Sequence, residues 1–123
     1  KFEFRSFTKV GEFDLGAASK HLNSNDAISN FGLYDIGVNG ALHKIGKADL
    51  KRITQSSGLP TRLHQQVREL RKIYGRQNVV GQVVEDLGET TTAAAKKAEN
   101  ARIQRVFDES GSVPLGNEKS FEP

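Results

Sequence analysis

Asn39 and Gly40 stand between two apolar-rich runs, and this dipeptide constrains the fold of the chain more than any other feature. An Asn-Gly pair suits the two-residue turn of a β-hairpin because both residues adopt positive φ angles at little cost. Residues 31–38 and residues 41–47 are therefore predicted to pair as antiparallel strands. Tyr34 lies in the first of these strands, opposite the basic residues of the second.

The register of this hairpin decides which basic residue shares a sheet face with Tyr34. A two-residue turn without a bulge pairs Ile36 with His43 and so places His43 on that face. A three-residue turn, or a β-bulge, places Lys44 there instead. The sequence leaves both alternatives open, and each of them puts a tyrosine beside a basic group.

Two helices and a third strand are predicted downstream of the hairpin. Pro60 opens a helix over about residues 60–75, and a run of valines indicates a strand over residues 78–87 that Gly88 ends. Threonines that can cap a helix precede a second helix over about residues 90–110. The fold class is therefore α+β, with a small three-stranded antiparallel sheet flanked by helices. The core-facing stripe of the first helix is predicted to be Leu63, Val67, Leu70 and Tyr74.

Composition sets the size of the domain and the chemistry open to it. The 123 residues suffice for one modest core, and a net charge of +3 with a pI of about 9.3 favours a polyanionic partner. The absence of cysteine excludes disulfides and thiolate metal sites. No run of residues has the pattern of a membrane span or of a signal peptide.

Residues 1–30 are predicted to form an N-terminal accessory segment, and residues 31–123 are predicted to form the main domain. Phe2–Phe4 alternates apolar and polar residues and is a strand candidate, while residues 17–29 indicate a short helix or an irregular packing segment. The chain begins at Lys1 and contains no methionine. We therefore expect it to be a piece of a longer protein.

Glu99 stands at a core-facing position of the second predicted helix. It shares a stripe at helical spacing with Ala95, Ile103 and Val106. A carboxylate on such a stripe is rarely buried unless it is paired or binds a metal ion. Two interpretations follow: Glu99 pairs with Arg102 or with a neighbouring helix, or it binds a divalent cation.

The order of these motifs resembles the GIY-YIG nuclease family, also called the URI endonuclease domain. Gly32–Tyr34 is similar to the first family motif. Lys44–Gly46 is similar to the second, with a lysine where the family commonly has a tyrosine and with a spacing one residue shorter. A helix that carries an arginine, a third strand and a helix that carries a glutamate then follow in the family order. The resemblance covers about residues 31–117.

The resemblance implies metal-assisted cleavage of phosphodiester bonds, with Mg²⁺ or another divalent cation held by Glu99. Tyr34 is expected to orient the attacking water or to act as general base. Lys44 is expected to act as a base if its pKa is lowered, and otherwise as an electrostatic clamp, with His43 as the alternative residue at that place.

The same resemblance assigns the remaining catalytic candidates. Arg62 is expected to hold the scissile phosphate, with Arg52 as the competing residue. His64 would contact the leaving group or support the site, and Asn117 would anchor the C-terminal tail into it. The predicted catalytic set is Tyr34, Lys44, Arg62, His64, Glu99 and Asn117, with His43 and Arg52 as alternatives.

A basic surface for nucleic acid is also predicted. Lys47 directly follows the second motif, and Arg68, Arg71 and Lys72 crowd the end of the first helix, where they are expected to contact phosphates. No aromatic residues interleave with these cations, so the sequence does not support base-specific recognition.

Domains of this family occur as C-terminal toxins of polymorphic bacterial toxins, in contact-dependent inhibition and Rhs-type systems, and the chain resembles such a toxin. The resemblance implies that the domain is secreted or delivered from the cell surface as part of a larger protein. It also implies that the domain acts on nucleic acid in the cytoplasm of a target bacterium, with DNA favoured over RNA, and that an immunity protein neutralises it. Two alternatives stay open: a metal-independent ribonuclease toxin that cleaves tRNA with His43, Lys44 and His64, and a non-catalytic nucleic-acid-binding module.

Overall fold

The computed structural model describes residues 25–119 and residue 121. The strand candidate Phe2–Phe4 and most of the predicted accessory segment therefore lie outside the described residues. Two short 3₁₀ turns, Arg76–Asn78 and Leu115–Asn117, join or follow the main elements. The strands and helices are β1 (Ile28–Val38), β2 (Ala41–Asp49), α1 (Thr61–Tyr74), β3 (Val79–Thr91) and α2 (Thr92–Ser110).

The three strands form one antiparallel sheet in the order β2-β1-β3, with β1 in the centre. Together with α1 and α2 this confirms the predicted α+β class. The hairpin β1–β2 and the strand β3 occupy the predicted stretches of sequence, although β1 starts at Ile28, inside the segment predicted to be helical or irregular. The central strand is buried along nearly its whole length because strands pair with both of its edges and a helix packs on each of its faces.

The hairpin turn has the predicted two residues, but a β-bulge follows it. Asn39 and Gly40 have φ angles of 54° and 83°, as a type I′ turn requires. The ladder pairs Gly37 with Leu42 and then Ile36 with Lys44, so the residue between them, His43, has no partner on β1. The bulge therefore selects the second predicted register, which places Lys44 on the sheet face of Tyr34.

β3 extends beyond its predicted end, because Gly88 forms part of a bulge rather than a break. Its ladder to β1 shifts between Phe31, which pairs with Gly88, and Gly32, which pairs with Asp86. Gly88 has a φ of 75°, a left-handed conformation that a bulge accommodates without ending the strand. The strand runs on to Thr91, whose hydroxyl accepts a hydrogen bond of 3.1 Å from the Ala94 N–H and caps α2.

The helices cover opposite faces of the sheet. Alternate β1 residues such as Tyr34 and Ile36 pack in one buried cluster with Leu63 and Val67 of α1, which confirms the predicted stripe of that helix. Asp35 points to the other face, where it contacts α2. The partly buried residues Leu59, Leu70 and Tyr74 complete the cluster under α1.

Candidate active site

Five polar side chains from four elements converge at the outer edge of β2. Tyr34 comes from β1, Lys44 and Lys47 from β2, Arg62 from the first turn of α1 and Glu99 from α2. Glu99 interacts electrostatically with both lysines and with Arg62, and Arg62 also interacts with Tyr34. The fold therefore brings together four of the predicted catalytic residues and one predicted nucleic-acid contact.

Tyr34 is fully buried, and its hydroxyl group is held by α1. The hydroxyl donates a hydrogen bond of 2.5 Å to Oε1 of Gln66. Burial raises the pKa of Tyr34 above its usual value, although the nearby Arg62 guanidinium opposes the increase. The phenol is therefore kept neutral, and its oxygen retains the capacity to accept a hydrogen bond.

Lys44 lies beside Tyr34 in a shallow cavity at the junction of β2 and α1. It shares this cavity with Gln65, Gln66 and Gly116. Partial burial lowers the pKa of Lys44, and the Arg62 charge lowers it further. A lysine in this setting has a larger neutral fraction near physiological pH than an exposed lysine has.

Lys47 occupies the next part of the same edge. It lines a second depression together with Arg62 and Arg52. Burial also lowers the pKa of Lys47, although the Glu99 carboxylate counteracts the decrease. Four cationic groups thus act on one carboxylate: Lys44, Lys47, Arg62 and Lys96. We call the first three of them the cationic cluster.

Glu99 is half-buried and makes no hydrogen bond and no ion pair with any residue that the structure describes. Burial raises the pKa of its carboxyl group, and the charges of Lys47, Arg62 and Lys44 oppose the increase. The predicted alternative pairing of Glu99 with Arg102 is wrong, because Arg102 binds Asp35 through two hydrogen bonds of 3.1 and 2.5 Å. Arg102 is thereby engaged on the sheet side of α2 and does not neutralise Glu99.

The donor set fits a cation that needs few protein ligands. Within residues 25–119 and 121, no three His, Asp or Glu side chains come together as a metal-binding group. Mg²⁺ commonly keeps several waters and binds through only one or two carboxylates. Glu99 offers one such carboxylate, with both oxygens uncommitted to other described residues.

Asn117 binds the outer edge of β2 through its side-chain amide. Its Oδ1 accepts a hydrogen bond from the Ile45 N–H and its Nδ2 donates to the Ile45 carbonyl, both at 2.8 Å. The buried amide thus satisfies backbone groups at the outer edge of β2, next to Lys44. This geometry agrees with the predicted anchoring of the tail and gives Asn117 a positioning role.

The two histidines predicted for the site, His43 and His64, lie outside the convergence of Tyr34, Arg62 and Glu99. His43, the bulged residue, packs edge-to-face on Tyr74 with ring centroids 5.9 Å apart. Desolvation lowers the pKa of His43, and the neighbouring Lys44 lowers it further. His64 lies in a groove on the other side of α1, where Nδ1 is 2.9 Å from the hydroxyl of Ser57.

Four other predicted basic residues are divided between two places. Arg52 reaches the depression that Lys47 and Arg62 line, and its side chain is exposed and 3.7 Å from the Asp49 carboxylate. The remaining three, Arg68, Arg71 and Lys72, line the groove of His64 rather than the site of Tyr34.

Gln66 and the ion pair of Asp35 with Arg102 were not predicted from the sequence. Gln66 follows Arg62 by four residues and so lies on the same face of α1, a spacing that contains the signal needed to find it. Asp35 is a carboxylate within the largely apolar run Phe31–Val38, which indicates that it has a buried partner but not which residue that is.

None of the helices in the described part of the chain is long and apolar enough to cross a membrane. Comparison of the chain with models of known protein families, with curated proteins and with solved structures finds no match in any of the three.

Proposed function

We propose that the domain is a metal-dependent nuclease that hydrolyses phosphodiester bonds of nucleic acid. One observation carries the proposal: the Glu99 side chain is half-buried, makes no hydrogen bond or ion pair with the described residues, and lies within electrostatic reach of Lys44, Lys47 and Arg62. This combination supplies a carboxylate for a cation and positive charge for a phosphate within one site. The resemblance of the motif order to GIY-YIG nucleases supports the same conclusion.

Arg62 is the residue best placed to hold the scissile phosphate. It is exposed at the start of α1 and interacts electrostatically with Tyr34, Lys44 and Glu99. A guanidinium group presents parallel N–H donors that match two phosphoryl oxygens. Arg62 would therefore orient the phosphate between the tyrosine and the carboxylate.

Tyr34 and Lys44 have different roles toward the attacking water: Tyr34 orients it, and Lys44 accepts its proton. In the free protein the Tyr34 hydroxyl is buried, donates to Gln66 and interacts with Arg62. Its oxygen has a lone pair left, which would accept a hydrogen bond from the attacking water in the substrate complex. Lys44 Nζ, in its neutral form, accepts the proton that the water loses. The water oxygen forms a bond to phosphorus as the bond from phosphorus to the leaving oxygen breaks, and the leaving oxygen takes a proton from solvent.

Glu99 would hold the divalent cation through its carboxylate. When bound, the cation supplies positive charge to the phosphoryl and leaving oxygens. In the free protein, the positive charges of Lys47 and Lys44 favour the ionised carboxylate of Glu99 and so oppose the increase in its pKa that burial causes. The carboxylate therefore belongs to both the cationic cluster and the metal site.

The metal-independent ribonuclease alternative finds less support. It requires His43, Lys44 and His64 to act on one phosphate, whereas the two histidines line different cavities on different sides of α1. A non-catalytic binding module would not need a desolvated carboxylate inside a cationic cluster. DNA is the favoured substrate over RNA from the family resemblance alone.

The toxin setting is a further part of the proposal and rests on the resemblance. It includes delivery within a larger protein, action in the cytoplasm of a target bacterium, and an immunity protein that covers the cationic cluster with acidic groups. Inducible expression in bacterial cells tests it: the wild-type domain should stop growth, and Glu99→Gln should not. Growth arrest by both forms would contradict a toxic activity that depends on Glu99.

The nuclease proposal is tested by parallel cleavage assays on plasmid DNA and total tRNA, each with Mg²⁺ and with EDTA. We expect cleavage of one substrate by the wild-type domain with Mg²⁺ and none with EDTA. Cleavage of tRNA that survives EDTA would favour the metal-independent ribonuclease. A folded protein that binds nucleic acid without cleaving either substrate would favour the binding module.

A further inference from the structure

A second cationic surface lies on the other side of α1 from the candidate active site. Successive helix residues are rotated by about 100°, so His64 lies about 200° around the axis from Arg62. Arg62 and Gln66 face the active site, whereas His64 and Arg68 line a separate groove of about 580 Å³. We call this the basic groove, defined by Ser57, His64, Arg68, Arg71, Lys72 and Arg76.

The groove is strongly and uniformly positive. Four of its side chains are cations, and no carboxylate lines it. Lys72 does pair with Glu69 at 3.2 Å, but both side chains are exposed, so the pair adds little and breaks easily. Arg68 and Arg76 have no hydrogen bond or ion pair with any described residue.

Arg71 is fixed in place by the backbone of β3. Its Nε and one terminal nitrogen donate to the Val79 carbonyl at 3.2 and 3.0 Å. A guanidinium has five N–H donors, so these two bonds orient the group without exhausting it. A fixed guanidinium loses less conformational freedom when it binds an anion than a mobile one does.

Ser57, in the loop that precedes α1, is linked to His64 in the first turn of α1. The Ser57 hydroxyl is 2.9 Å from His64 Nδ1 and accepts a hydrogen bond of 3.2 Å from the Leu59 N–H. These contacts tie the loop to the first turns of α1, so that neutral polar groups and cations line one continuous surface.

We infer that the basic groove is a second binding surface for nucleic acid, which holds backbone phosphates of the substrate several nucleotides from the scissile bond. This inference rests on the proposed function and adds a substrate-length requirement to it. From His64 to Lys72 the groove extends about 12 Å along the helix, the rise of about three or four phosphates along one strand of DNA. α1 is about 10 Å across, so one strand can contact both of its sides.

The composition of the groove favours a regular polyanion over a protein partner. The apolar residues that line it, Leu59 and Val67, are partly or fully buried in the core. Protein interfaces draw most of their affinity from anchors such as Trp, Tyr and Arg in desolvated pockets, and the lining contains no Phe, Tyr or Trp. A polyanion needs only a row of cations, and this row contacts phosphate without reading bases.

The test is fluorescence anisotropy with labelled oligonucleotides of about 20 and about 4 nucleotides. The proteins carry Glu99→Gln so that binding is measured without cleavage, and circular dichroism checks that each is folded. The groove variant is Arg68→Gln/Arg76→Gln. The matched control is Lys97→Gln/Arg105→Gln, which removes two exposed charges from α2.

We expect the groove variant to bind the long oligonucleotide at least about tenfold more weakly at low salt, with a salt slope reduced by about 2. The control should bind as the parent does, and the short oligonucleotide should not distinguish the three proteins. Equal binding by parent and groove variant, or equal losses in groove variant and control, would overturn the inference. Failure of the nuclease proposal is a separate result: the wild-type domain would not cleave, while the groove-dependent binding would remain.

Discussion

The ring of Tyr34 lies directly over Gly46, its partner on the neighbouring strand, so closely that no side chain fits at position 46. A Cβ atom built on Gly46 would approach three atoms of the Tyr34 ring and hydroxyl to less than 3.0 Å. Ring atoms of a fully buried tyrosine have little room to move. The glycine of the second motif therefore sets the position of the hydroxyl that faces Gln66.

Gly46→Ala should displace Tyr34 and weaken both stability and cleavage. Overpacking of this kind typically costs about 1–3 kcal/mol of unfolding free energy. Urea denaturation measures the loss, and the Tyr34–Gln66 geometry predicts a fall in the cleavage rate beyond the loss of folded protein. Tyr34→Leu removes the colliding atoms, so the cost of Gly46→Ala should shrink in that background. Equal costs in both backgrounds would show that the ring is not the obstacle.

Glu99→Gln should stabilise the metal-free domain at neutral pH. Burial raises the pKa of Glu99 above its ordinary 4.5, so the unfolded chain loses this proton at lower pH than the folded protein does. The free energy of unfolding of the wild type should therefore fall relative to that of the glutamine variant as pH rises from about 4.5 to the raised pKa of Glu99. At pH values above that pKa, the difference in unfolding free energy between the two proteins should stay constant. Thermal melts across this range measure the effect.

The exposed residue Glu109 on the same helix provides the matched control for that experiment. Glu109→Gln should leave the dependence of the melting temperature on pH close to that of the wild type. A Glu99→Gln variant that is less stable than the wild type at neutral pH would show that the carboxylate gains more from its cationic neighbours than it loses by burial.

Lys44 should govern the pH dependence of cleavage. The base must be neutral to accept a proton, so the rate should rise with pH, and the lowered pKa of Lys44 should bring the midpoint below the ordinary value of 10.5. Lys44→Gln should reduce the rate by about 10²–10⁴-fold and remove this dependence. His43→Gln should change the rate little, since His43 is the bulged residue and packs on Tyr74.

The ion pair of Asp35 with Arg102 should hold α2, and hence Glu99, against the sheet. Arg102→Leu leaves a buried carboxylate unpaired and should cost about 3 kcal/mol of unfolding free energy, near the low end for such changes because Arg102 is 27% exposed. The double variant Asp35→Leu/Arg102→Leu should recover most of the loss. Urea denaturation of the three proteins decides the point, and a double variant as unstable as Arg102→Leu would contradict it.

Local sequence rules predicted much of the fold. The Asn39-Gly40 turn, the stripe that begins at Leu63 and the helix that carries Glu99 are all set by residues close together in the chain. The choice between His43 and Lys44 was not local, because it depends on a bulge that forms only when β2 pairs with β1. The predicted end of β3 at Gly88 was wrong for the same reason. A glycine by itself indicates a break, but pairing with β1 continues the strand through Gly88.

Part of the candidate site was expected from the order of the motifs along the chain, although its residues come from different elements. Arg62, Lys44 and Glu99 do converge, as the motif order implied. His64 stands only two residues from Arg62, yet the turn of the helix carries it to the basic groove. The contact between Asp35 and Arg102 joins residues 67 positions apart, and no local pattern specifies such a pair.

The role of Glu99 as a metal ligand is tested most sharply by the Mg²⁺ dependence of single-turnover cleavage by the wild type, Glu99→Asp, Glu99→Gln and Glu109→Gln. Glu99→Asp should need more Mg²⁺ for half-maximal rate, because its carboxylate is one methylene further from the site. Glu99→Gln should be inactive at every Mg²⁺ concentration, and Glu109→Gln should match the wild type. Cleavage by Glu99→Gln at the wild-type rate, or a wild-type rate that does not depend on Mg²⁺, would show that Glu99 does not hold a catalytic metal ion.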